Sequence, residues 1–271
     1  MLPLLTALST NDGLPCSKSI ARALCQLSIS SLGRYVVASD PALRKQDRTH
    51  ATTPQSFTLD ELLHTTWPPK SFGEWFRADV VGCSTLYLRE GVEVSWFLLP
   101  PGGMLPLHDH CLMKVWQRVL HGSIRVTSID WKTKCSLPAE ARQRQQHGGE
   151  AIVVNSSDVS AHPSSSDPSL VASFGPVGGG VLHEIINNSS GPALFIDVIS
   201  PTYHTWPNYF ECKYYEALPC NASQTRVAQS GAGSANSIAD WAREGQCVML
   251  TPRVGDYPFP MTSFIPLDSP L

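Results

Sequence analysis

From about Cys83 onward the sequence breaks into short apolar runs at even spacing, each closed by Gly or Pro. Residues 84–88, 92–99, 113–120 and 123–130 are rich in Val, Ile, Leu and aromatics. Glu90-Gly91, Pro100-Pro101-Gly102-Gly103 and His121-Gly122 separate them. Further runs follow at 150–154, 169–174, 181–187 and 193–199. β-branched and aromatic side chains suit a pleated, half-buried surface, and runs this short between turn residues read as strands. A chain patterned this way is restricted to an antiparallel sandwich or barrel, an all-β fold.

The flanks read differently. Residues 1–50 look peripheral, with helical spacing over 19–27. Thr58 as N-cap with Glu61 three residues on predicts a second short helix. The polar, Ser-rich stretches 155–167 and 221–237 read as surface loops, and Pro-rich 206–271 as a tail wrapping the barrel. The expected division is a 1–55 N-terminal helical or extended segment and a single 56–271 domain with Ser-rich insertions near 155–168 and 221–237.

Charge narrows the partners. The net charge is −3 with no long basic run, so neither nucleic acid nor an anionic membrane surface is an expected partner. No stretch approaches the ~20 apolar residues of a spanning helix. Eight scattered cysteines without a CxxC predict reduced thiols in a reducing compartment, hence a cytoplasmic location, with the nucleus as the alternative. The chain is expected to act as a monomer. Segment 1–35 is Ser-rich and acid-poor like an organelle transit peptide, although Asp12 counts against that.

Chemistry concentrates at Gly102-x5-His108-Asp109-His110. In an extended segment residues i and i+2 share a face, so His108 and His110 offer two imidazoles to one point. A third arrives with His183, which follows Gly178-Gly179-Gly180 into a strand. Imidazole suits Fe, Zn, Cu and Ni.

These segments resemble the two cupin signatures. Gly102, His108, His110 and Gly122 match the first, and Gly180, His183 and Asn187 the second. The Glu usual in the first is missing, with Lys114 and Val115 where it would fall. A three-His set lacking that carboxylate is typical of thiol dioxygenases. Residues 97–110, 119–131, 195–203 and 211–215 are similar to the 2-aminoethanethiol dioxygenase and plant cysteine oxidase family, and the resemblance covers roughly 80–220. The His-Asp-His form and the tail Met249-Leu250-Thr251-Pro252…Asp256-Tyr257-Pro258 lean toward the aminoethanethiol branch. The resemblance implies a cupin double-stranded β-helix holding iron(II) at His108, His110 and His183. It implies oxidation by O2 of cysteamine, or of a protein's N-terminal cysteine, to the sulfinic acid, with oxygen sensing as the consequence. It also implies that Asp197 orients substrate, that Tyr203 sets a phenol near the iron, and that Cys212 and Tyr214 form a neighbouring pair, either packed at the pocket or covalently crosslinked. The family has Pro-Gly after the second ligand, where this chain has Cys111-Leu112. That thiol beside the metal raises the alternative of a silent metal-binding cupin.

Another alternative is a dioxygenase of free cysteine or another carboxylate-bearing thiol, which needs a cation in the pocket; Arg118 and Arg125 are the candidates. Glu184 should point away from the ligand face. His121 is expected to be exposed, His50, His64, His147, His162 and His204 to lie on the surface, and Asn187 to cap a turn.

Overall fold

The computed structural model describes residues 4, 8, 17–37, 56–64, 67, 80–89, 91–162, 166–176, 179–203, 210–220, 237–254 and 261–266. Among them two sheets face each other. The first contains β1 (Arg34–Val37), β2 (Phe57–Thr58), β3 (Val81–Arg89), β4 (Val92–Leu99), β6 (Lys114–His121), β9 (Ala172–Phe174), β11 (Ala193–Ser200) and β14 (Met261–Pro266). The second contains β5 (Met104–Asp109), β7 (Ser123–Trp131), β8 (Gly149–Ser160), β10 (Leu182–Ile186), β12 (Tyr215–Pro219) and β13 (Cys247–Pro252). Neighbouring strands are antiparallel except β14 beside β3. Two curled antiparallel sheets around one interior form the cupin double-stranded β-helix.

The apolar runs are continuous because the first sheet is covered on both faces. On β11, Leu194, Ile196 and Val198 join an outer cluster, while Ala193, Phe195 and Ile199 join the cluster between the sheets. β4 divides likewise, with Val94, Trp96 and Leu98 outward and Leu99 inward. Each fully buried aliphatic side chain contributes ~1.5–3 kcal/mol. Gly122, between β6 and β7, has φ 71°, and a Cβ there would stand 2.6 Å from the Pro192 carbonyl oxygen. Only glycine fits that turn.

The N-terminal region is not peripheral. Helix α1 (Ser17–Cys25) buries Ile20, Ala23 and Leu24 in the outer cluster beside Trp116 and Leu120. Helix α2 (Leu59–Leu63) opens with the expected capping box: Thr58 Oγ1 accepts from the Glu61 N–H, and Glu61 accepts from the Thr58 N–H.

Further expectations change as well. Residues 155–160 are not loop but the far half of β8, opposite Ser123 to Ser128, because a strand edge facing solvent accommodates Ser and Asn. Residues 168–170 form a 3-10 turn, leaving only Ala172–Phe174 as strand. The tail does more than wrap: β12, β13 and β14 complete both sheets. The cysteines are not all reduced, since Cys220 and Cys247 form a disulfide where β12 and β13 bring them opposite each other. His64, His147 and His162 are exposed as expected, whereas His121 is half-buried against His64. His50, His204, Asp256 and residues 221–236 lie outside the described residues. None of the described helices is long and apolar enough to cross a membrane.

Candidate metal centre

β10 runs between β7 and β5, and the register sets His183 directly opposite His108. Alternation turns His183 to the same face as Ile185, into the cluster between the sheets. His110 follows the end of β5, its backbone N–H donating to the Val181 carbonyl at 2.7 Å. The three rings converge. His110 Nε2 lies 3.2 Å from His108 Nε2 and 3.1 Å from His183 Nε2, and all three side chains are buried.

The second nitrogen sets the state of two of the rings, His108 and His110. His108 Nδ1–H donates to the Pro106 carbonyl at 2.7 Å, which leaves the Nε2 lone pair free. His110 Nδ1 is 2.9 Å from the Tyr203 hydroxyl, and that hydroxyl donates to the Asp109 carbonyl. The phenol has one proton, so His110 Nδ1–H donates to it and His110 Nε2 also bears a lone pair. Burial lowers the His108 pKa to about 4. Burial first, and then the neighbouring imidazoles, hold His110 and His183 well below the ordinary range. Two lone pairs facing across 3.2 Å, in rings too desolvated to protonate, need a shared cation. The donor set therefore fits a divalent transition metal. Among the described residues no carboxylate joins the three imidazoles.

Asp109, between two of the ligands, turns the other way. Its carboxylate accepts from Gln145 Nε2, the Lys213 N–H, the Tyr215 hydroxyl at 2.8 Å and Cys111 Sγ at 3.1 Å. Helix α3 (Pro138–His147) and β12 thus fasten the ligand segment from behind. Cys111 shares this outer side rather than facing the imidazoles. Leu112 has φ 57°, the left-handed region that an L side chain occupies at a cost of about 1–2 kcal/mol. This is where the family pattern carries glycine.

The remaining predicted site residues distribute in three ways. Tyr203 lies behind His110, on the side opposite Nε2, and so positions a ligand. Tyr203→Phe is expected to weaken metal affinity by roughly 10- to 100-fold, measured by competition with a chelator. Cys212 lies beside Tyr203 and Tyr214, and burial pushes its thiol up to about 12. Tyr214 bridges to His108 through the backbone, with ring centroids 6.1 Å apart. Asp197 shares the inner face of β11 with Phe195 and Ile199 and accepts from Gln117 Nε2 at 3.0 Å. Burial first, with Glu93 adding to it, pushes its carboxyl up to about 8.

The two arginines proposed as carboxylate receptors have other duties. Arg118 is on the outer face of β6, where its guanidinium donates to the carbonyls of Leu24 and Leu27 at the C-terminal end of α1. Arg125 pairs with Asp158 on the exposed side of β7. Glu184 points away from the ligands as expected, yet it is buried, accepting from Ser237 Oγ and the Ala239 N–H at the start of helix α4 (Ile238–Trp241). Asn187 ties the turn, donating to the carbonyls of Leu99, Pro100 and Gly191.

Asp109, Gln145 and Tyr215 escaped the sequence reading as site residues. Gln145 had a faint signal: Pro138 followed by Glu140 marks a helix start, and Glu140 accepts from the Ser136 and Leu137 N–H groups there. Nothing in the sequence aims that helix at Asp109.

A buried cluster of three neutral imidazoles inside a double-stranded β-helix defines a metal-binding cupin. The sequence matches PCO_ADO over residues 39–256, and the chain belongs to that family. It is 30% identical over 151 residues to plant cysteine oxidase 2 of Arabidopsis thaliana, covering 54% of this chain and 49% of the relative. It is 27% identical over 145 residues to human 2-aminoethanethiol dioxygenase, covering 49% and 51%. The chain thus spans about half the length of these curated relatives. Among solved structures, a Klebsiella pneumoniae protein with a double-stranded β-helix domain is similar at 17% identity and TM-score 0.31, over 54% of this chain and 88% of that one.

Proposed function

We propose that this chain is a non-haem iron(II) thiol dioxygenase. It converts the N-terminal cysteine of a peptide or protein, or cysteamine, to the sulfinic acid with O2: R–SH + O2 → R–SO2H. One observation carries the reading. Three neutral imidazoles converge with no carboxylate among them, so a bound dication keeps its full charge for an anionic thiolate. Iron(II) held by His108, His110 and His183 would supply the redox chemistry for this reaction. The names of the two relatives support the same class.

The protein groups have separate tasks. The imidazoles stay neutral and hold the ion. Tyr203 fixes the His110 ring through Nδ1. Asp197, on the inner face, offers a carboxylate to the substrate ammonium. Arg118 and Arg125 are engaged elsewhere, which favours an amine-bearing thiol over a carboxylate-bearing one.

The decisive experiment is aerobic incubation of iron-reconstituted protein with a Cys-initiated peptide. A gain of two oxygen atoms, both from labelled O2, is expected, and cysteamine should outpace cysteine. An unchanged peptide mass sinks the proposal.

Asp197 gives a pH signature. With its carboxyl raised to about 8, the free protein holds it protonated at neutral pH, and it becomes an anion as pH rises through that value. kcat/KM for an amine-bearing thiol should therefore rise along a limb near pH 8. Asp197→Asn should abolish that limb and lower kcat/KM roughly 10- to 100-fold, the loss of a hydrogen bond to a charged group. An identical limb in the variant would assign it to another group.

A further inference from the structure

We propose a second metal site, formed by Cys220, Cys247 and Glu150, that takes zinc or another thiolate-seeking divalent cation when the Cys220–Cys247 disulfide is reduced. It shares no residue with the imidazole centre. Cys247 opens β13, and Cys220 directly follows β12; the Cys220 N–H donates to the Cys247 carbonyl at 3.2 Å. On its other side β13 pairs with β8, where Glu150 stands opposite Met249. Met249 is two residues beyond Cys247, so both side chains share a face, and Glu150 joins them. The two sulfurs and a Glu150 carboxylate oxygen all lie within 4.8 Å of one another.

Two thiolates and one carboxylate leave the fourth position of a tetrahedral ion for water, the pattern of an open zinc site. Their charge of −3 exceeds that of the ion by one, and Lys132 Nζ, 2.7 Å from Glu150 Oε2, supplies a compensating cation. Glu150 is exposed and both cysteines are half-buried, so small reductants and ions reach the site.

The oxidised and metal-bound states exclude each other. Two molecules of a small thiol reduce the protein disulfide: the S–S bond breaks, each protein sulfur takes one proton, and the thiols leave joined as their own disulfide. Cation binding then displaces both protons from the sulfurs.

Cobalt(II) tests this, because thiolate ligation gives a near-ultraviolet charge-transfer band that three imidazoles cannot produce. The full chain is reduced, desalted without oxygen and titrated with cobalt(II). The band is expected to reach the amplitude of one thiolate-bound cobalt per chain and to be complete by about two equivalents, because the imidazoles take the other, with zinc(II) bleaching it and the disulfide form lacking it. Cys220→Ser and Cys247→Ser should each abolish the band while leaving cobalt at the imidazoles, seen by its weaker visible bands. Glu150→Gln should keep the band but weaken affinity at least roughly tenfold. No band in the reduced protein, or a band surviving either serine variant, overturns the site. Unchanged affinity in Glu150→Gln overturns the carboxylate ligand and, with it, the three-residue site.

Discussion

His183→Ala is expected to cost the protein its metal and its turnover together. His183 meets His110 at 3.1 Å between Nε2 atoms, and the cation it would share is held by three donors. Changes one shell further out cost 10- to 100-fold in metal affinity, so loss of a direct ligand should exceed about 100-fold. Bound iron, measured after dialysis against a chelator, should fall to background, and sulfinate formation with it. The fold should persist, because β10 is held by backbone pairing to both β5 and β7, and alanine leaves that ladder intact. Retention of iron at wild-type affinity in a folded His183→Ala protein would refute the centre as described.

Trp96→Ala carries the largest expected cost in stability. Trp96 is fully buried on the outer face of β4, stacked on Phe264 of β14 at 5.5 Å and edge-on to Tyr35 of β1 at 5.2 Å. It therefore joins the central strand to strands drawn from both ends of the chain. Removing a buried indole leaves a cavity bounded on both sides by paired strands that cannot collapse freely. A loss of about 3–5 kcal/mol follows, and a fall in Tm of roughly 6–20 °C for a chain of this size. Calorimetry reads it directly. A change below about 1 kcal/mol would mean that β1 and β14 do not depend on this contact. Metal affinity should change little, since Trp96 faces away from the cluster that contains the ligand side of the barrel.

The strands between 81 and 131 were legible because turn residues cut them cleanly: residues 92–99 are β4 as read, and 123–130 fall one residue short of β7. The strand β5 was less visible, since Pro106, His108 and Asp109 dilute its apolar character. The strands of the tail were hidden for another reason. β13 and β14 alternate buried with exposed positions and sit among prolines, so their pairing depends on β8, β1 and β3 already being in place.

At the site, the two metal motifs announced their ligands because local spacing suffices: i and i+2 on a strand, and a glycine turn before a third histidine. The supports did not announce themselves. Tyr203 belonged to a recognisable turn, but only its contact with His110 Nδ1 shows that it acts from behind a ligand. Arg118 was a fair candidate for the pocket until β6 was seen to turn it toward the end of α1.

By itself, the sequence determined the all-β class, the three candidate ligands and the absence of the usual carboxylate from the motif, since each follows from alternation, punctuation and residue chemistry within short windows. Only the tertiary structure decided which face each side chain takes, which second nitrogen is hydrogen-bonded, and that Cys220 meets Cys247. Those depend on register between strands far apart in the chain, where a shift of one residue exchanges inside for outside.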